Sequence, residues 1–153
     1  MREIKYIKTT AADIELLMKV RLEMLREVNN LSDEYVYDET LVAESRKYFE
    51  SGNQTTVLAM DNNDVVGCAS ISYIWIMPTF DHPTGKRAHL MNVYTKATYR
   101  RQGISKRMVE MLIDEAREQG VTEISLDSTK MGRPLYEALG FEASCAGMVM
   151  ELR

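Results

Sequence analysis

The segment Arg100-Arg101-Gln102-Gly103-Ile104-Ser105-Lys106-Arg107 gathers four cations around one glycine. It opens a stretch in which Ile104, Met108, Met111, Leu112 and Ala116 recur at helical spacing. A helix start already carries partial positive charge and unpaired N–H groups, so acidic residues normally gather there. Here the acids come later, at Glu110, Asp114, Glu115 and Glu118. That inversion costs stability unless an anion sits at the helix start, and a phosphate or pyrophosphate suits it. Gly103 lets the backbone come close to such a ligand. The Gly-x-x-x-x-Gly-Lys-Ser/Thr and Gly-x-Gly-x-x-Gly patterns are both missing, which argues against the common nucleotide loops. Taken alone, the segment fits a solvated basic turn about as well as an anion site.

Composition narrows the ligand. The chain has 153 residues, enough for one domain with one core, expected to span residues 1–153. A net charge of -4 argues against non-specific nucleic-acid binding, which needs a broadly basic surface. The basic cluster is a local anomaly on an acidic protein, so a discrete phosphorylated ligand fits better than a polymer. Cys68 and Cys145 make neither a disulfide framework nor a metal set, and read as buried free thiols. His82 and His89 lack metal-ligand spacing with either cysteine, so no metal is expected. Met1–Tyr6 has no apolar signal region, and no apolar run approaches the ~18 residues of a membrane span. A soluble cytoplasmic protein is the expectation. The 11 methionines fit gap-filling core better than a ligand surface.

The rest of the chain supplies the frame. Alternation predicts a strand over Glu3–Lys8, with Ile4 and Tyr6 on one face. Thr10 and Asp13 have capping-box spacing, and a helix follows to about Asn29 with Ile14, Leu17, Met18, Leu22 and Leu25 on one stripe. A second helix is expected over Glu39–Ser51. Strands over Thr55–Met60 and Val65–Ile76 flank the turn Asp61-Asn62-Asn63-Asp64. Pro78, Pro83 and Gly85 make residues 77–87 a loop. Ala88–Thr95 reads as a strand, Gly103–Gln119 as the clearest helix, and Glu123–Ser128 as a strand with Ile124 and Leu126 inward. A short helix covers about Arg133–Leu139. Phe141–Leu152 is expected to form a hairpin turning near Ala146-Gly147. This order gives an α/β (α+β) domain around one mixed sheet.

With these elements in place, the chain resembles the GNAT superfamily of acetyl-CoA-dependent N-acetyltransferases. The family's Arg/Gln-x-x-Gly-x-Gly/Ala motif lies over Arg100–Ser105. Asn92-Val93-Tyr94-Thr95 and Tyr99-Arg100 resemble its strand and loop. Leu135-Tyr136-Glu137-Ala138-Leu139-Gly140-Phe141 matches its second hallmark, and the element order agrees across the chain. Ser105 departs from the preferred Gly or Ala, and Gly132 stands where many members have Ala. The resemblance implies a mostly antiparallel sheet flanked by helices, with acetyl-CoA as donor. Its pyrophosphate would sit on the N–H groups of Arg101, Gln102, Gly103, Ile104, Ser105 and Lys106, beside Arg100. Arg101, Lys106 or Arg107 would reach the adenosine 3′-phosphate. The pantetheine would lie against Val93, Tyr94 and Thr95. Thr129 stands where many members place an Asn on the pantetheine arm.

The chemistry implied is direct attack of an amine on a thioester, with no protein nucleophile. The Val93 N–H would face the thioester carbonyl, and a backbone donor stabilises charge there without reorganising. Tyr136 occupies the family's position for protonating the departing thiolate. An attacking amine must be neutral, and a lysine-like amine has a pKa of about 10.4. No base is evident; Glu23, Glu27, His89 and Asp127 read as surface or packing residues. The resemblance also makes the stretch between the first two helices the acceptor wall, with Trp75 and the 77–89 loop opposite. Asp33, Glu34, Tyr35, Tyr37, Asp38 and Glu39 suit a cationic small-molecule or peptide amine, against the plainer reading of a solvated acidic loop. Many members pair as homodimers. A silent acyl-CoA-binding module and another nucleotide-binding protein are the competing readings; Tyr136 argues against the first, and the second hallmark against the other.

Overall fold

A computed structural model describes residues 3–144 and 146–153. Its elements, in order, are β1 (Ile4–Lys8), α1 (Ile14–Val28), α2 (Glu39–Glu50), β2 (Gln54–Asp61), β3 (Asp64–Trp75), β4 (Lys86–Thr95), α3 (Ile104–Glu118), β5 (Glu123–Leu126) and α4 (Arg133–Ala138). The strands form one five-stranded sheet in the order β1-β2-β3-β4-β5. Neighbours run antiparallel except β4 and β5, which are parallel. The expected mixed, mostly antiparallel sheet is therefore present.

Helices cover both faces. On one, Met108, Val109, Leu112 and Ala116 of α3 bury against Val57, Ala59, Ala69, Ile71 and Leu90 of the sheet. The other face packs Leu17, Met18 and Val20 of α1 and Phe49 of α2 against Leu58 and Cys68. Alternation explains the split: Val57 and Leu58 are strand neighbours and face opposite layers. The close seat of α3 requires Gly67, where a Cβ would stand 2.9 Å from the Tyr94 carbonyl and 3.1 Å from Met108 Cε.

Thr10 completes its capping box with Asp13, and a single 3-10 turn over Ala11–Asp13 leads into α1. The buried positions of α1 are Leu17, Met18, Val20 and Met24, so its core stripe is rotated away from Leu22 and Leu25. The tail also departs from expectation. Among the described residues after α4 there is no strand, and Met148, Val149, Met150 and Leu152 are exposed. The short β5 offers little edge for a hairpin to extend, and past Phe141 the described residues of the tail bury no apolar face to offset the ordering entropy. Cys145 lies outside the described residues, while Cys68 is a buried free thiol as expected.

Candidate active site

The centre of the site is an irregularity in β4. Ser70 pairs with Met91 and Cys68 with Tyr94, so Asn92 and Val93 together oppose the single residue Ala69. This is a β-bulge, and Asn92 takes the left-handed conformation with φ 60°. The extra residue switches the strand's faces. Val93 packs with the α3 layer, and Tyr94 with the α1–α2 layer. Buried and half-buried polar bonds hold the bulge. Arg21 Nη1 donates to Asn92 Oδ1 at 2.9 Å, and Asn92 Nδ2 donates to Ser70 Oγ at 3.2 Å. Ser70 Oγ lies 2.7 Å from Thr56 Oγ1. The Cys68 thiol donates to the Asn92 carbonyl at 3.3 Å, and burial pushes its pKa up to about 12.

Just ahead of the bulge β4 loses a neighbour. It pairs with β5 only from Arg87–Glu123 to Leu90–Leu126. Residues Met91–Thr95 then run on without β5 beside them. The strand feeds a tight loop into α3. Arg101 has φ 62° and Gly103, the residue before the helix, φ 77°. No side chain caps α3, and its first turn contains no acid. Arg100-Arg101 form a turn that the Gln102 N–H closes, and among the described residues the backbone N–H groups of Arg101, Gly103, Ile104, Ser105 and Lys106 have no acceptor. Such a curl of donors at a positive helix start is an anion cradle. The small hydroxyl of Ser105 lies 2.6 Å from Thr95 Oγ1, joining α3 to the end of β4. Arg100 Nε donates to the Thr95 carbonyl at 3.0 Å. These two bonds tie the end of β4 to the loop and to the first turn of α3.

Tyr136 packs against the α3-side cluster, as Val93 does. Its ring meets Phe141 edge-on at 5.9 Å between centroids. Gly132 permits this seat, since a Cβ there would lie 3.3 Å from the ring. The Tyr136 hydroxyl has no hydrogen-bond partner among the described residues. Burial raises its pKa, keeping the phenol protonated. Thr129 is already engaged: its Oγ1 accepts the Gly132 N–H at 3.1 Å.

On the opposite face, α1, α2 and β4 enclose a cavity of about 220 Å³. Arg21, Leu41, Tyr48, Phe49, Met91 and Asn92 line it. The Tyr48 hydroxyl lies 2.7 Å from Ser72 Oγ, and burial raises its pKa. Burial lowers the pKa of the Arg21 guanidinium, with the Cys68 and Tyr48 side chains opposing that shift.

The acidic loop does not line this cavity. Asp38 caps α2, accepting from Thr40 N and Leu41 N at 2.7 and 3.2 Å. Tyr37 donates to the Leu22 carbonyl, and the Arg26 guanidinium lies 5.1 Å from its ring centre. Trp75 is 84% exposed and donates to Thr84 O. Of the carboxylates weighed as bases, Glu27 accepts from the Tyr94 hydroxyl and lies 3.8 Å from Arg100. Asp127 lies 3.9 Å from His89, whose Nδ1 is 2.8 Å from Ser125 Oγ. Glu23 and Glu27 border a separate, smaller hollow of about 40 Å³.

A family model for the acetyltransferase (GNAT) family matches residues 22–141. The chain belongs to that family. This GNAT chain is 32% identical over 88 residues to glucosamine 6-phosphate N-acetyltransferase of Trypanosoma brucei brucei, covering 58% of each protein. It is 36% identical over 67 residues to human N-acetyltransferase 8, covering 40% of this chain and 30% of that one. The chain therefore spans little more than half, and less than a third, of these two relatives. A structure described as a predicted acetyltransferase with acetyl-CoA, from Clostridium acetobutylicum, is 28% identical with a TM-score of 0.84, covering 97% of this chain and 96% of that one. An acetyltransferase structure from Ralstonia eutropha JMP134, at 21% identity and a TM-score of 0.75, shares the fold. The GNAT fold follows for this chain.

Arg21, Asn92 and Tyr48 bring polar chemistry that the sequence reading missed or used only as a motif match. One signal was available. Arg21 lies four residues after Leu17 and three after Met18, so it is a cation on the helix's buried stripe.

Proposed function

We propose that the protein transfers the acetyl group of acetyl-CoA to a primary amine by direct attack on the thioester. The observation that carries this is the set of acceptor-less N–H groups of Arg101, Gly103, Ile104, Ser105 and Lys106, at the end of a strand that has parted from its neighbour. That set, with Arg100 and the cations Lys106 and Arg107 behind it, suits a pyrophosphate. The unpaired length of β4 suits an extended pantetheine arm lying along Val93, Tyr94 and Thr95. The Clostridium structure, described with acetyl-CoA, supports the same donor here.

The steps then fall to this chain's own groups. The Val93 N–H stabilises the negative charge building on the thioester oxygen. The Tyr136 hydroxyl gives its proton to the departing sulfur; its raised pKa keeps that proton available at neutral pH. The proton shed by the acylated nitrogen passes through solvent to restore the phenol. The cavity of Arg21 and Tyr48 receives the acceptor on the other face of the bulge. A metal has no part in this scheme.

Two measurements on one sample test the reading. Acetyl-CoA at about 100 times its Kd should add about 2.7 kcal/mol to stability and raise Tm by several degrees. An amine panel with acetyl-CoA should release free thiol. A Tm that does not move removes the donor site. A raised Tm without turnover on any amine would instead mark an acyl-CoA-binding module.

A further inference from the structure

Resting on that acetyl-transfer reading, we propose that the acceptor is a small amine carrying an oxyanion, carboxylate or phosphate, a few bonds from its nitrogen, and that Arg21 receives it. Arg21 is a half-buried cation on the core stripe of α1. Among the described residues it makes no ion pair, and its one hydrogen bond goes to the neutral carboxamide of Asn92. A guanidinium has five N–H donors, so most remain uncommitted. Desolvating a charge is costly unless a partner compensates it. Leu41, Phe49 and Met91 are the apolar walls beside it, and such walls strengthen any charge-assisted bond made there.

The other titratable groups of the cavity do not supply that partner. Glu44 stands at the rim, 62% exposed, and pairs with Lys47 at 3.6 Å. Tyr48 stays a neutral phenol bonded to Ser72. Position also sets the acceptor's length. Arg21 touches Asn92, the residue next to Val93, and strand neighbours are about 3.3 Å apart. An oxyanion on Arg21 and a nitrogen approaching the thioester carbon beside Val93 are thus separated by a short spacer. Amino acids and small amino-sugar phosphates have that reach. If Arg21 served only to hold the bulge, any neutral N–H donor would do, and the charge would be superfluous.

The test uses the whole chain with acetyl-CoA, following thiol release on matched pairs: amino acids against their amides, and glucosamine 6-phosphate against glucosamine. The charged member of at least one pair should have a kcat/KM about tenfold or more above its neutral partner, and the pair that responds tells carboxylate from phosphate. Arg21→Gln, which keeps a donor for Asn92, should bring that ratio to about one while the Kd for acetyl-CoA stays put. Ser45→Glu sets a carboxylate in the same lining from the surface of α2 and should depress the charged member selectively. Equal use of both members, or a ratio that survives Arg21→Gln and Ser45→Glu in folded protein, overturns the proposal and leaves acetyl transfer standing. No turnover on any pair, with acetyl-CoA bound, overturns both.

Discussion

The proposed donor and acceptor sides of β4 are assembled in opposite ways. The donor side comes from contiguous chain: Val93–Thr95, the loop, and the first turn of α3. Its binding groups are mostly backbone N–H groups, aimed by two positive φ angles. The acceptor side draws Arg21, Tyr48 and Asn92 from three distant elements, and its binding groups are side chains. A backbone site is insensitive to most side-chain changes, whereas a side-chain site is altered by one. The first suits a fixed donor and the second a variable acceptor. The bulge at Asn92-Val93 is the seam, with Val93 turned to one layer and Asn92 bonded into the other.

The largest way to break the contrast is Gly103→Glu. No atom stands within 4 Å of a Cβ there, so space is not the obstacle. The φ of 77° costs a side chain about 1 kcal/mol, and the new carboxylate opposes the anion. Acetyl-CoA affinity should fall by about 100-fold or more by calorimetry, with circular dichroism retained. Tyr136→Phe comes next: kcat should drop by about 100-fold while the Kd for acetyl-CoA holds, and an unchanged kcat would end its role as acid. Asn92→Ala strips both side-chain bonds of Asn92 and should cost about 2 kcal/mol, read as a lower urea midpoint. Asn92→Asp gives Arg21 an internal anion, and so should raise the KM of a charged acceptor while sparing acetyl-CoA affinity.

The smallest effect belongs to a control on neither side. Glu115 on α3 accepts from Tyr73, and from Lys8 at 3.1 Å. Burial would raise its pKa, but the bonds from Tyr73, Thr55 and Lys8 hold it below the ordinary glutamate value. A lowered folded pKa contributes stability that is present above the unfolded value, about 4.3, and lost as pH falls through the folded one. Glu115→Gln should cost about 1 kcal/mol at neutral pH and flatten the acid limb of the Tm–pH curve. Neither Kd nor KM should change.

This asymmetry also decides what the sequence makes legible. Cations without acids before a helical run, with one glycine among them, announce the α3 cradle because its parts are neighbours in the chain. Sheet and helices follow from period and turn residues for the same reason. The acceptor cavity has no such local signal, since Arg21, Tyr48 and Asn92 meet only after folding. The acidic 33–39 stretch drew attention through its composition, yet Asp38 is used for capping and Tyr37 for packing on α1. The tail misleads in the same way. Its pattern suits strands, but a strand needs an edge and a face to cover, and neither is a property of the segment itself.

The uncapped first turn of α3 has one more consequence, for isotopes rather than ligands. Amide protons without an acceptor trade with solvent at nearly the rate of an open chain. Those of Arg101, Gly103, Ile104, Ser105 and Lys106 should therefore exchange first in an otherwise well-protected helix. A bound pyrophosphate would slow that group of amides and leave the amides around Arg21 as fast as before. The helix start would then act as its own reporter of donor occupancy, with no label or substitution.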